Sequence, residues 1–176
     1  MVKSDPDVDV VWRAFELRPE PVPTLDPHGD YLERAWTNSV YPLAARLGVT
    51  MKLPPLQPRS RLAHEAAQWA RTHGRFDDLH QEIFRAFFER GEDIGNPDQL
   101  IALASKQRLD ADALRRALDA REFEPSVLAD EREAAEIRIS GVPAFVADRR
   151  AALSGVQPVD TLKQLVDYVR QPKIAR

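Results

Sequence analysis

The sequence predicts an α/β fold in which a first strand and a C-terminal strand–strand–helix unit flank a large all-helical block. Three observations carry this. Residues 8–15 alternate, with Val8, Val10, Trp12 and Ala14 on one side and Asp9, Val11, Arg13 and Phe15 on the other, the period of two that marks a strand. From Asp30 to Arg138 apolar residues recur at three- and four-residue spacings, punctuated by proline, glycine and capping residues, as in successive amphipathic helices. From Gly141 onward come a short apolar run, a polar turn, a second short run and a closing apolar stripe.

The first strand is expected over Asp7–Leu17. Pro19, Pro21 and Pro23 then end it and make an extended loop. Asp26-Pro27 enters a helix that runs from Asp30 to Leu47, with Leu32, Ala35, Trp36, Val40, Leu43 and Leu47 roughly on one face. Pro42 should kink or split it, and Gly48 suits the position just past its end. Met51–Pro58, with Pro54, Pro55 and Pro58, is a second extended connector. Both proline loops read as structural links over the surface; a lid over a substrate groove is the alternative.

Ser60 is expected to cap the next helix, whose stripe is Leu62, Ala63, Ala66, Ala67 and Ala70 and which ends at Gly74. The clearest helix is Phe76–Arg90, with Leu79, Ile83, Phe84, Phe87 and Phe88 taken as core. Asn96-Pro97 caps and opens a helix through Leu100, Ile101, Leu103 and Ala104. Asp110 caps another, with Leu114, Ala117 and Leu118 inward. Arg121–Arg138 continues as helix, Leu128 and Ala135 on one side and Asp130-Glu131-Arg132-Glu133 a solvated face.

In Ile139-Ser140-Gly141-Val142-Pro143-Ala144-Phe145-Val146, glycine frees the backbone and Pro143 pushes Val142 towards an extended shape. Pro143 opens a strand, where its missing N–H does least harm; the Val142–Pro143 bond is either cis or an ordinary trans strand entry. Asp148-Arg149-Arg150 turns the chain, and Ala151-Ala152-Leu153 returns as an antiparallel partner. After Leu153-Ser154-Gly155-Val156-Gln157-Pro158, Val159, Leu162, Leu165, Val166 and Val169 stripe the last helix.

The chain's 176 residues suit one domain over 1–176. A net charge of −3, from 25 basic and 28 acidic residues, leaves no nucleic-acid footprint. There is no cysteine, so this chain supplies no disulfide, thiolate metal site or thiol nucleophile. The acidic, polar start does not read as a signal peptide, and no apolar run approaches a membrane span. The expected location is the cytoplasm.

No motif carries chemistry by itself. Gly91 and Gly95 are too sparse to cradle a phosphate. No two of His28, His64, His73 and His80 stand four residues apart, the spacing that would put two imidazoles on one helical face. Nothing resembles a nucleophile elbow. No metal or cofactor is expected.

Gly141-Val142-Pro143, an apolar strand, a turn, a second strand and Ser154-Gly155-Val156-Gln157-Pro158 before a last helix resemble the C-terminal half of DsbA-like thioredoxin-fold proteins. The nearest group is the FrnE-type predicted dithiol–disulfide oxidoreductases, related to 2-hydroxychromene-2-carboxylate isomerase and kappa-class glutathione transferases. Val11–Leu17 resembles that family's second strand. Arg61–His64 with Trp69-Ala70, and Ile83–Phe88 with Asp93-Ile94, resemble its helical insertion. The resemblance implies thioredoxin-like parts at about 7–18 and 138–171 around an insertion at about 28–137. It implies that Pro143 is the family's cis-proline, a bend that turns the amide and carbonyl of Val142 outward to hold an extended peptide or thiol substrate. Val142 and Pro143 are thus the implied substrate-binding residues, with Gly155 and Gln157 as secondary candidates for the same cleft; no catalytic residue is implied.

The family's first strand, its Cys-x-x-Cys turn and its first helix are expected to be missing, since the chain starts at Met1–Ser4 close to where the second strand begins. An unpaired sheet edge would then invite a homodimer or other strand-donating partner, a rearranged sheet, or completion by a piece encoded upstream. The functional readings are a disulfide-oxidoreductase family member without its own redox cysteines, a non-catalytic peptide-binding or dimerisation module, or a glutathione-using isomerase or transferase relative. Glutathione is the one cofactor the last of these would need.

Overall fold

The helices come first in the chain and the strands late. The computed structural model describes residues 5–171, so the expected start at Met1–Ser4 lies outside the described residues, as do the last residues of the 1–176 domain reading. The order is α1 (Asp30–Ala35), a π-helical turn (Trp36–Val40), α2 (Tyr41–Leu47), α3 (Arg61–Thr72), α4 (Phe76–Phe88), α5 (Pro97–Lys106), α6 (Ala111–Asp119), α7 (Glu124–Glu136), β1 (Ala144–Ala147), β2 (Ala151–Ser154) and α8 (Val159–Arg170). By compactness the chain falls into two units: Arg18–Leu128, and the described residues up to Leu17 together with those from Ala129 onward.

In the Arg18–Leu128 unit, α3, α4, α5 and α6 enclose the main core. Ala66 and Ala70 let α3 approach closely, and Leu79, Leu100, Leu103 and Leu114 are fully buried around them. Asn96 and Asp110 cap α5 and α6 by accepting the amides of Asp98 and Ala113, as expected. Ser60 precedes α3, but its side chain makes no capping bond. Six helices end on a left-handed residue that closes the last turn. Gly48, Gly74 and Gly91 end α2, α3 and α4, whereas Arg108, Arg121 and Arg138 end α5, α6 and α7. Only glycine adopts that conformation without strain, so the arginine-ended helices carried no glycine to announce them. Arg121, expected inside a helix, separates α6 from α7; its guanidinium lies 3.3 Å from the fully buried Glu65 carboxylate and 2.6 Å from Glu124.

The expected 30–47 helix is broken where Pro42 enters. A normal turn would need the proline N–H and would press its ring on the preceding turn. The chain widens instead, and the Tyr41 N–H donates to Trp36 O in a π-turn. The extra residue rotates the apolar face, so Ala44 is buried and Leu47 exposed. In α4 the expected core is divided. Leu79, Ile83 and Ala86 point inward, but Phe84 is 48% exposed. It belongs to a second row, in which Phe76 stacks on His80 (4.6 Å), His80 meets Phe84 edge-on (4.8 Å) and Phe84 stacks towards Phe88 (5.9 Å). The proline connector packs under α4's end: Lys52 N–H donates to Phe88 O, Pro54 is fully buried, and a Cβ on Gly91 would meet Pro55 at 2.7 Å.

The other unit corrects two further expectations. No strand forms over Asp7–Leu17. A strand exists only by its ladder, and among the described residues β1 pairs with β2 alone. Of the expected inward set only Ala14 is buried, while Trp12 is 43% exposed. Asp130 is one of the groups that hold the stretch. Its buried carboxylate accepts the Ala14 N–H at 2.9 Å and an Arg13 guanidinium N–H at 3.0 Å, so Asp130 is no part of a solvated face. Ala135 is exposed, and Val127 is the residue of α7 that is fully buried. The stripe of α8 is only half covered, because a two-stranded hairpin offers it little surface.

Candidate functional site

The hairpin places Val142 and Pro143 at its open end. Asp148 and Arg149, both at positive φ, turn the chain, and Arg150 N–H closes the turn on Ala147 O at 2.9 Å. The register opposes Ala144 to Ser154, Phe145 to Leu153, Val146 to Ala152 and Ala147 to Ala151. One further bond sets the phase: Gly155 N–H donates to Pro143 O at 2.8 Å. In an antiparallel pair the residues that exchange bonds with the neighbour alternate with those that do not. Pro143, Phe145 and Ala147 therefore spend their backbone groups on β2. Ala144 and Val146 turn theirs the other way, to the edge that no strand covers among the described residues.

The side chains at this edge are apolar and accessible. Val142 is 49% and Val146 41% exposed. The Val142–Pro143 peptide bond is cis, as is Glu20–Pro21. Gln157 donates its amide to Ser154 O at 2.6 Å, closing off the end of β2, and Gly155 takes a positive φ in the same turn. Of the charges in the turn, Asp148 is exposed, Arg149 pairs with Glu133 and Glu136, and Arg150 donates to the carbonyls of Val169 and Gln171. Ala144 and Val146 escaped the reading of the sequence as edge residues; they alternate with Pro143, Phe145 and Ala147 along the run.

Asp5, Glu92 and Glu124 have lowered pKa, held chiefly by hydrogen bonds from Asp7 N–H, Arg90 and Arg121 respectively. Among the described residues no group of His, Asp and Glu could hold a metal ion. His73 faces Trp69 O at 2.9 Å, and His80 lies in the aromatic row of α4. No helix of the described residues is long and apolar enough to cross a membrane. The chemistry available at the edge is backbone hydrogen bonding flanked by valine side chains. Thiol–disulfide exchange requires an attacking thiolate, and this chain has no cysteine.

Comparison with known proteins agrees with the hairpin–helix arrangement. The sequence model of the DsbA-like thioredoxin domain matches residues 1–167. The chain is 34% identical over 144 residues to the uncharacterized protein YwbO of Bacillus subtilis (strain 168), covering 80% of this chain and 72% of that protein. Its fold is similar to the crystal structure of a probable DsbA oxidoreductase from Streptomyces coelicolor, with a TM-score of 0.77 and 26% identity, over 97% of this chain and 79% of that one. The chain thus belongs to the family of DsbA-like thioredoxin domains.

Proposed function

We propose that this chain is a non-redox member of the DsbA-like family that holds extended polypeptide along the open edge of β1. The observation that carries the reading is the phase of the hairpin, which directs the N–H and C=O groups of Ala144 and Val146 away from β2. A segment laid there adds a strand, gaining main-chain hydrogen bonds and setting alternate side chains against Val142 and Val146. Val142 and Pro143 are the binding residues in this reading, and electron transfer is no part of it. Within the family we place the chain beside the FrnE-type proteins, on the order of the segments Val11–Leu17, Arg61–Ala70 and Ile83–Ile94.

Isothermal titration calorimetry with a short synthetic peptide of alternating valine and serine tests this. Binding is expected, weakened when alternate peptide amides are N-methylated and when Pro143→Ala is made. Equal heats from the methylated and unmethylated peptides would remove backbone pairing from the site.

A further inference from the structure

We propose that α1, the π-helical turn and α2 form an arm that opens as a unit from the rest of the Arg18–Leu128 unit and uncovers the Phe88 end of the aromatic row on α4. The core helices α3 to α6 approach one another closely, whereas among the described residues no helix or strand outside the arm comes into close backbone approach with it. Leu32, Trp36 and Ala44 are its buried residues. Tyr31, Tyr41 and Leu47 are exposed large side chains, and residues 45–50 are exposed throughout. Most of the stability of a helix in a protein comes from tertiary packing of its apolar face, and this helix has little of it. Local opening is cheapest where few apolar groups are buried.

Both bases of the arm are pinned, and its length is held lightly. Before it, the Arg59 guanidinium donates to the carbonyls of Arg18 and Val22 at 2.5 and 2.6 Å. After it, Lys52 N–H donates to Phe88 O at 2.7 Å and Pro54 is fully buried. Between these points the Trp36 ring meets the Phe88 ring of α4 with centroids 6.2 Å apart, and the Tyr41 hydroxyl accepts the Leu53 N–H at 3.1 Å. The hinges are the stretches just inside the pins, residues 23–28 and 48–50, which are largely exposed; Gly48, at φ 65°, opens the second. Turning about them lifts Trp36 from Phe88 and uncovers Leu32 and Ala44 with it. Phe88 stacks towards Phe84, which is already exposed, so opening lengthens the accessible part of the row Phe76–His80–Phe84–Phe88. The arm is in this sense a gate over an apolar surface, and Trp36 is its latch.

Hydrogen exchange of the whole chain, followed by mass spectrometry, tests the opening. Amides of residues 30–47 are expected to exchange together, at least about tenfold faster than those of α4 and α5. Trp36→Ala should speed the arm by about a further tenfold or more and leave α5 and α6 unchanged. Fraying from the helix ends would also expose amides, so uncovering of a side chain is read separately. The chain has no cysteine, so an Ala44→Cys variant carries a single thiol, at a position 6% exposed. Its alkylation by iodoacetamide should run at least about tenfold faster than that of an Ala104→Cys variant, at a fully buried position of α5. Adding Trp36→Ala to Ala44→Cys should quicken the alkylation by the same factor as the arm amides. Wild-type arm amides as protected as those of α5 overturn the proposal, whether or not a variant folds. So does an Ala44→Cys thiol as protected as the Ala104→Cys thiol. So does a Trp36→Ala variant that leaves the arm unchanged, or that speeds arm and core by one common factor.

Discussion

Replacing Asp130 by alanine should release the extended N-terminal stretch. The Asp130 carboxylate is 5% exposed and accepts the Ala14 N–H at 2.9 Å and the Arg13 guanidinium at 3.0 Å. Truncation leaves a buried amide without its acceptor, which costs about 1–3 kcal/mol. The Arg13 side chain is largely in solvent, so its ion pair adds no more than about 1 kcal/mol. The sum is about 1–4 kcal/mol, or a fall of roughly 2–16 °C in Tm for a chain of this size. Asp130→Asn keeps an amide oxygen for the Ala14 N–H and loses the charge, so it should cost only about 1 kcal/mol. Urea denaturation measures the difference between the two variants. Amide hydrogen exchange at Ala14 localises it, because local opening registers there even if the Arg18–Leu128 unit stays folded. An alanine variant within about 0.5 kcal/mol of the parent, with Ala14 protection unchanged, would refute the claim that this carboxylate takes the place of a sheet neighbour.

Further outcomes follow from the helical unit and the ionised groups. Leu79→Ala and Leu103→Ala, both at fully buried positions, should each cost about 2–5 kcal/mol in urea denaturation. Phe84→Ala should cost under about 1 kcal/mol; a loss matching that of Leu79→Ala would return Phe84 to the core. Arg108 is exposed and ends α5 at φ 59°, so Arg108→Gly should raise stability by about 1 kcal/mol, and a lower urea midpoint would contradict this. Acid should weaken the fold. Hydrogen bonds from Arg90 and Arg121 hold Glu92 and Glu124 below the ordinary value of 4.5. A carboxylate lowered in the folded state contributes stability above its unfolded value and loses it as pH falls through the folded value. The urea midpoint should therefore be level down to about pH 5 and fall below it, and Glu92→Gln should reduce that fall; a midpoint that rises on acidification would exclude this linkage.

The sequence by itself determined the helices whose ends are marked by local chemistry. Asn96 and Asp110 cap by their own side chains, Gly48 and Gly74 terminate by their own freedom, and the order of a proline-led strand, a turn, a second strand and a helix identified the family. These features act within a few residues of themselves, so no partner is needed to read them. Only the tertiary structure decided the rest. The alternation of Val8 to Phe15 marks a chain able to be a strand, but a ladder needs a neighbour, and Asp130 took that place instead. The α4 stripe could not say which aromatic rings face inward, since that depends on where α3 and α5 lie. Arg121 ends a helix against helical propensity, with its guanidinium beside the buried Glu65. Val142 and Pro143 were legible as a bend, but the direction in which Ala144 and Val146 offer their backbone was settled by one bond made across the hairpin, from Gly155 to Pro143.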